Sequence, residues 1–325
     1  MTAGSQAPER SPLVERLYRR AVAEPEAPSL FTRVGWDWQW RSWARVADQV
    51  ARGAATLRKM RDAAPGGAVR LAPGAWRAGP DAVTAVLAVL HAGLDLELAD
   101  DPDARDAAPG DLPRIAVAGV QVPGDESGNA SDEASGTALS VEHQLPTVRG
   151  PLDAQPLEPL AAAAGGRLLV GGHPIDMTAV RSSLAASLPA SGVRSVARVD
   201  RPTRPILATG AVSLPWLVDC LAWALEADAA WALEPEADAF AASVAWVRPH
   251  VVVASRTALE ALATRLEGRA LRHARLRTAA VVESVGSESK APTRDLAMLA
   301  ERLAPSAPHT VVLPAAPGWF CRSAT

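Results

Sequence analysis

Residue types able to hold an anion stand together at Gly171-Gly172-His173, just ahead of a helical pattern. Paired glycines let neighbouring backbone N–H groups converge on an anion, and a helix starting just beyond them would add its own terminal amides. The helical pattern near Met177 makes Gly171, Gly172 and His173 a candidate nest at a helix start. A turn that serves chain geometry alone is the simpler reading of the same glycines. His173 and Asp176 have the spacing of a helix-start polar pair, or of half a metal site. The other histidines, His91, His143, His250, His273 and His309, are scattered, so no zinc spacing arises and no metal is expected.

Other chemistry is sparse. There is no Gly-x-Ser-x-Gly elbow, complete phosphate loop or dinucleotide fingerprint. The basic run Arg265, Arg269, Arg272, His273, Arg275 and Arg277 suits a phosphate or an acidic partner, and equally a solvated helix end. Two distant cysteines, Cys220 and Cys321, make no disulfide framework, which points to a reducing compartment. The first residues carry Pro, Glu and Arg where a leader would be apolar, and no run is long enough to span a membrane, so a cytoplasmic protein is expected. A net charge of -3 gives no electrostatic case for nucleic acid or an anionic membrane surface.

The elements that must position these residues follow from periodicity. Apolar residues at Leu13, Val14, Leu17 and Ala21 have helical spacing, and Leu30 to Val34 reads as a strand. Trp36, Trp38 and Trp40 alternate with polar residues, which puts them on one face of an extended segment. Ser42 is placed to cap a helix running to Met60. A strand at 68–71, a helix from Pro80 to Ala92 stopped by Gly93, and strands at 94–98 and 114–122 come next. Residues 124–150 read as an acidic loop between subdomains at 1–123 and 151–325. The second half alternates helices at 177–188, 214–226, 237–247, 257–266 and 294–303 with strands at 206–209, 229–233, 250–254, 277–282 and 310–313. That order predicts an α/β fold with mixed or mostly parallel sheets covered by helices. Trp216, Trp223, Trp231 and Trp246 fall on its expected core faces.

The order of these pieces resembles the AMP-binding, acyl-CoA synthetase-like family of adenylate-forming enzymes. The residues that carry the resemblance are Glu24 to Leu30, Trp40-Arg41-Ser42-Trp43, Pro65-Gly66-Gly67-Ala68-Val69, Leu87 to Gly93, Leu214 to Leu225, Ala229 to Pro235, Trp246 to Val252, and the helix from Thr257. The resemblance implies the family's large N-terminal domain, truncated. It also implies a Ser/Thr/Gly-rich phosphate loop ending in Pro-Lys, which would lie at 164–174, and an aromatic-Gly-x-Thr-Glu motif after the strand at 310–313. Neither is present. Leu168, Leu169 and Val170 stand where hydroxyls are needed, and Pro314 to Trp319 contain no Thr-Glu pair.

Three readings follow. The first is a degenerate domain, not catalytic alone, that acts by assembling with a protein partner or with itself and needs no cofactor. The second is a residual or split AMP-dependent ligase that holds ATP, AMP or an acyl group at Gly165, Gly166, Gly171, Gly172 and His173. The third is an unrelated α/β protein.

Overall fold

A computed structural model describes residues 11–34, 37–63, 68–71, 79–98, 114–115, 165–175, 180, 183–188, 206–210, 212–234, 236–267, 276–282, 292–314, 316–317 and 320. The acidic segment 124–150, the strand continuation 116–122, Trp36, Asp176 and most of the basic run lie outside them. The chain opens with helix α1 (Pro12–Ala23), whose Pro12 occupies the first helical turn and whose Leu13, Val14, Leu17, Tyr18 and Ala21 form its buried stripe. Strands β1 (Pro28–Val34) and β2 (Asp37–Ser42) pair antiparallel. Ser42 caps helix α2 (Trp43–Ala63), its Oγ accepting from the Arg45 N–H at 3.2 Å.

Strand β3 (Ala68–Leu71) leads toward helix α3 (Pro80–Ala92). Every described residue of α3 except Asp81 is buried, as its nearly unbroken apolar sequence requires. Gly93 ends the helix in the left-handed region (φ 78°), its N–H bonding to the Leu90 and Val89 carbonyls. Strands β4 (Asp95–Glu97), β5 (Arg114–Ile115), β6 (Leu168–Val170) and β7 (His173–Pro174) complete a five-stranded sheet of order β5-β3-β4-β6-β7. Its pairs are parallel except β6–β7.

The remaining elements are α4 (Ser183–Ser187), β8 (Ile206–Thr209), α5 (Leu214–Ala227), β9 (Ala230–Leu233), α6 (Ala237–Val247), β10 (Val251–Ser255), α7 (Arg256–Glu267), β11 (Thr278–Val282), α8 (Pro292–Leu303) and β12 (His309–Leu313). With β1 and β2 these strands form a seven-stranded sheet, β12-β11-β10-β8-β9-β1-β2, parallel from β12 to β1. The expected α/β class with mixed, mostly parallel sheets is what the chain adopts. Each sheet draws strands from both sides of residues 124–150.

Alternation along the strands divides the core in two. Ala208, Ala232, Val252, Ala254, Ala279 and Val281 face α6, α7 and α8, around Phe240, Leu259, Leu262 and Leu303. Leu207, Trp231, Leu233, Val253 and Val282 face the other way. They share one cluster with Leu96, Leu168 and Val170 of the smaller sheet and with buried residues of α1, α2, α3 and α5. One helical layer therefore serves both sheets.

Candidate functional site

The two glycine pairs do different structural work. Gly166 is buried, its N–H bonds to the Leu90 carbonyl at 3.0 Å, and a Cβ added there would collide with the Leu94 carbonyl. Gly165 is half-buried beside it. Arg167 donates to Asp95 through its backbone N–H (2.9 Å), Nε (3.3 Å) and terminal nitrogen (2.7 Å). The hydrogen bond and charge of Asp95 raise the Arg167 pKa further.

Gly171 and Gly172 form the turn between β6 and β7, closing the pair Val170↔His173. Their φ values, +57° and +80°, are those of a two-residue hairpin turn with both central residues left-handed. The nest expected at a helix start is thus a strand-to-strand turn, and His173 opens β7 instead of a helix. The physical reason is that two left-handed glycines reverse an extended chain with the twist its strands need. The turn is exposed, with nothing within 4 Å of a Cβ built on either glycine. The Gly172 N–H nevertheless has a partner. It points at the Glu97 carboxylate, 3.3 Å from Oε1 and 3.2 Å from Oε2. Glu97 is only 5% exposed.

The second place to look is the carboxyl end of the seven-stranded sheet, where β8 continues to β9 on one side and is flanked by β10 on the other. The polar groups there bond to one another. The Trp231 indole N–H donates to Thr209 Oγ1 (3.0 Å). Glu234, which is buried, accepts from Ser243 Oγ (3.4 Å) and from the Glu236 N–H (3.5 Å). Trp216 donates to the Pro314 carbonyl (3.0 Å), tying α5 to the segment after β12, and Phe320 packs in the same cluster. His250 lies at the opposite end, its Nδ1 accepting from the Ile206 N–H at 3.1 Å. Among the described residues no group of His, Cys, Asp or Glu side chains could hold a metal ion.

Periodicity missed Glu97, Asp95 and Glu234. The alternation Leu94-Asp95-Leu96-Glu97-Leu98 places both carboxylates opposite the leucines, but their partners lie 72 or more residues along the chain. The core placement of three tryptophans is correct: Trp216, Trp223 and Trp231 are buried. Trp246 is not, being 59% exposed near the end of α6, since the buried stripe of that helix runs through Phe240, Val244 and Val247. Trp43 is buried and Trp40 is 48% exposed.

No family model matches the chain, and no curated protein matches it. Solved structures do. CmiS6 superposes with a TM-score of 0.55 at 17% identity, over 93% of this chain and 71% of its own. The coronafacic acid ligase of Pectobacterium brasiliense gives a TM-score of 0.56 at 9% identity, over 94% and 62%. The nonribosomal peptide synthetase FmoA3, in its form bound to α-methyl-L-serine-AMP, gives 0.56 at 19%, over 95% and 33%. The chain has the fold of adenylate-forming ligase domains. At these identities the likeness is one of fold alone, and this chain spans about a third to seven-tenths of those structures' own lengths. Within that fold, residues 168–174 form a strand, a two-residue turn and a strand.

Proposed function

We propose that this chain is a degenerate adenylate-forming domain that is not catalytic by itself and acts through assembly with a protein partner or with another copy. The observation that carries the reading is the Gly171–Gly172 turn. Adenylation needs several donors and a positive charge converging on ATP phosphates. In this chain the turn is two residues long and the Gly172 amide faces the Glu97 carboxylate. Arg167, the nearest arginine in sequence, is committed to Asp95. A surface role has its own support in the exposed indoles of Trp40 and Trp246 and the half-exposed Val312.

The test is calorimetric titration of the folded chain with Mg-ATP and with a non-hydrolysable acyl-adenylate mimic. No heat with either is the expected result. Saturable binding at micromolar levels, abolished by changing Gly171 and Gly172, would overturn the reading in favour of a ligase that borrows parts from another subunit.

A further inference from the structure

We infer that Glu97 is an internal anion that keeps phosphate-bearing ligands off the Gly171–Gly172 turn. Two consecutive left-handed residues make a concave set of N–H groups of the kind that binds anions. The turn is exposed, and the open space lies on the Cβ side of its glycines, while the Gly172 N–H faces inward to the nearly buried Glu97. The Gly172 N–H is shared between both oxygens of one carboxylate, so a negative charge already stands where a phosphate oxygen would be held.

The surroundings of Glu97 make that arrangement unusual for a carboxylate placed only for stability. The side chain is 5% exposed, and its hydrogen bonds are to a backbone amide. A buried carboxylate normally has a cation beside it, because burial penalises the charged form. The register partner of Glu97 on β3 is Arg70, and the partner of Arg70 on β5 is Arg114. Among the described residues Arg70 forms no ion pair, and its Nε is buried with no hydrogen-bond partner. Arg70 and Glu97 are thus register neighbours with no ion pair between them among the described residues, and the carboxylate reaches instead the Gly172 amide in the β6–β7 turn. Removing the carboxylate would free the Gly172 donor in the turn, with the Arg70 charge one strand over from residue 97, and both suit a phosphate or pyrophosphate oxyanion.

The inference deepens the non-catalytic reading and rests on it, by naming the side chain that closes the phosphate position. The experiment compares wild type, Glu97→Gln and Glu97→Ala for binding of inorganic pyrophosphate, by calorimetry and by following the Gly172 amide resonance. Wild type is expected to bind nothing at millimolar pyrophosphate. Glu97→Ala should bind at least about tenfold more tightly than wild type, with the Gly172 amide shifting during the titration. Glu97→Gln keeps the size and the acceptor while losing the charge, so it should give a smaller gain and guards against an alanine variant that fails to fold. If the folded variants bind no better than wild type, Glu97 is not the excluding group, while the non-catalytic reading stands. If wild type itself binds and its Gly172 amide shifts, both fail.

Discussion

At the scale of single residues, the four glycines of the candidate loop carry two separate constraints. Gly166 is where backbone meets backbone: its position against the Leu94 and Leu90 carbonyls leaves no room for a methyl group. Gly166→Ala should therefore cost about 3 kcal/mol, because rigid backbone must shift to accept it. Gly171→Ala meets no atom, and only its φ of +57° is unfavourable, so its cost should be about 1 kcal/mol. Urea denaturation of the two variants checks the ordering, and equal losses would mean that the close approach is relieved elsewhere. Cys220 makes a third residue-scale case. Complete burial, and then the neighbouring Asp219 carboxylate, push its thiol pKa well above the ordinary 9.0. Below that value both folded and unfolded chains keep the proton. Above it the unfolded chain releases the proton first, so stability should fall as pH rises, by up to about 1.4 kcal/mol per unit. The difference in slope between wild type and Cys220→Ala above pH 9.0 isolates this contribution.

At the scale of elements, α3 decides how the two sheets are joined. It is apolar on all sides and packs against α2, α1, α5, β4 and β1. Leu87, at 0% exposure, sits in its middle. Leu87→Ala should cost about 3 kcal/mol through lost burial and the cavity left behind. By contrast, Val22→Ala on α1, where the side chain is 74% exposed, should change stability by less than about 0.5 kcal/mol. Thermal unfolding of both variants provides the comparison. A small loss at Leu87 would show that the shared helical layer closes over the gap. The β6–β7 hairpin is the other element with consequences, since its turn geometry sets both the reach of the glycine amides and their distance from β4.

At the scale of the whole molecule, the seven-stranded sheet ends, among the described residues, in β2 on one side and β12 on the other, with Trp40 and Val312 exposed on those strands. Unpaired sheet edges bearing apolar side chains invite association. If assembly is the function, sedimentation at rising concentration should show a reversible oligomer or, with the partner present, a complex. Trp40→Ser and Trp246→Ser together should weaken that association by at least about tenfold, because buried indoles dominate interface energetics. A chain that stays monomeric at every concentration would restrict assembly to a different protein.

Much of this architecture could be read from local pattern. The Pro80 start and Gly93 stop of α3, the Ser42 cap of α2, and the strands at 206–209, 278–282 and 309–313 depend on neighbours a few residues away, which periodicity and turn chemistry report directly. The adenylate-forming resemblance was legible for the same reason: it is an order of such local pieces. Long-range relations were not legible. The pairing of β1 with β9, which carries an N-terminal strand into the later sheet, joins residues about 200 apart. Whether the indole of Trp246 or that of Trp231 is covered depends on which helix stripe meets the sheet. The same holds for the glycine turn. Two adjacent glycines announce a reversal, but that the reversal joins two strands and aims its amide at Glu97 follows only once β4 and β6 lie side by side. Hydrogen bonding between strands distant in sequence leaves no local periodicity, and so the tertiary structure alone decides it.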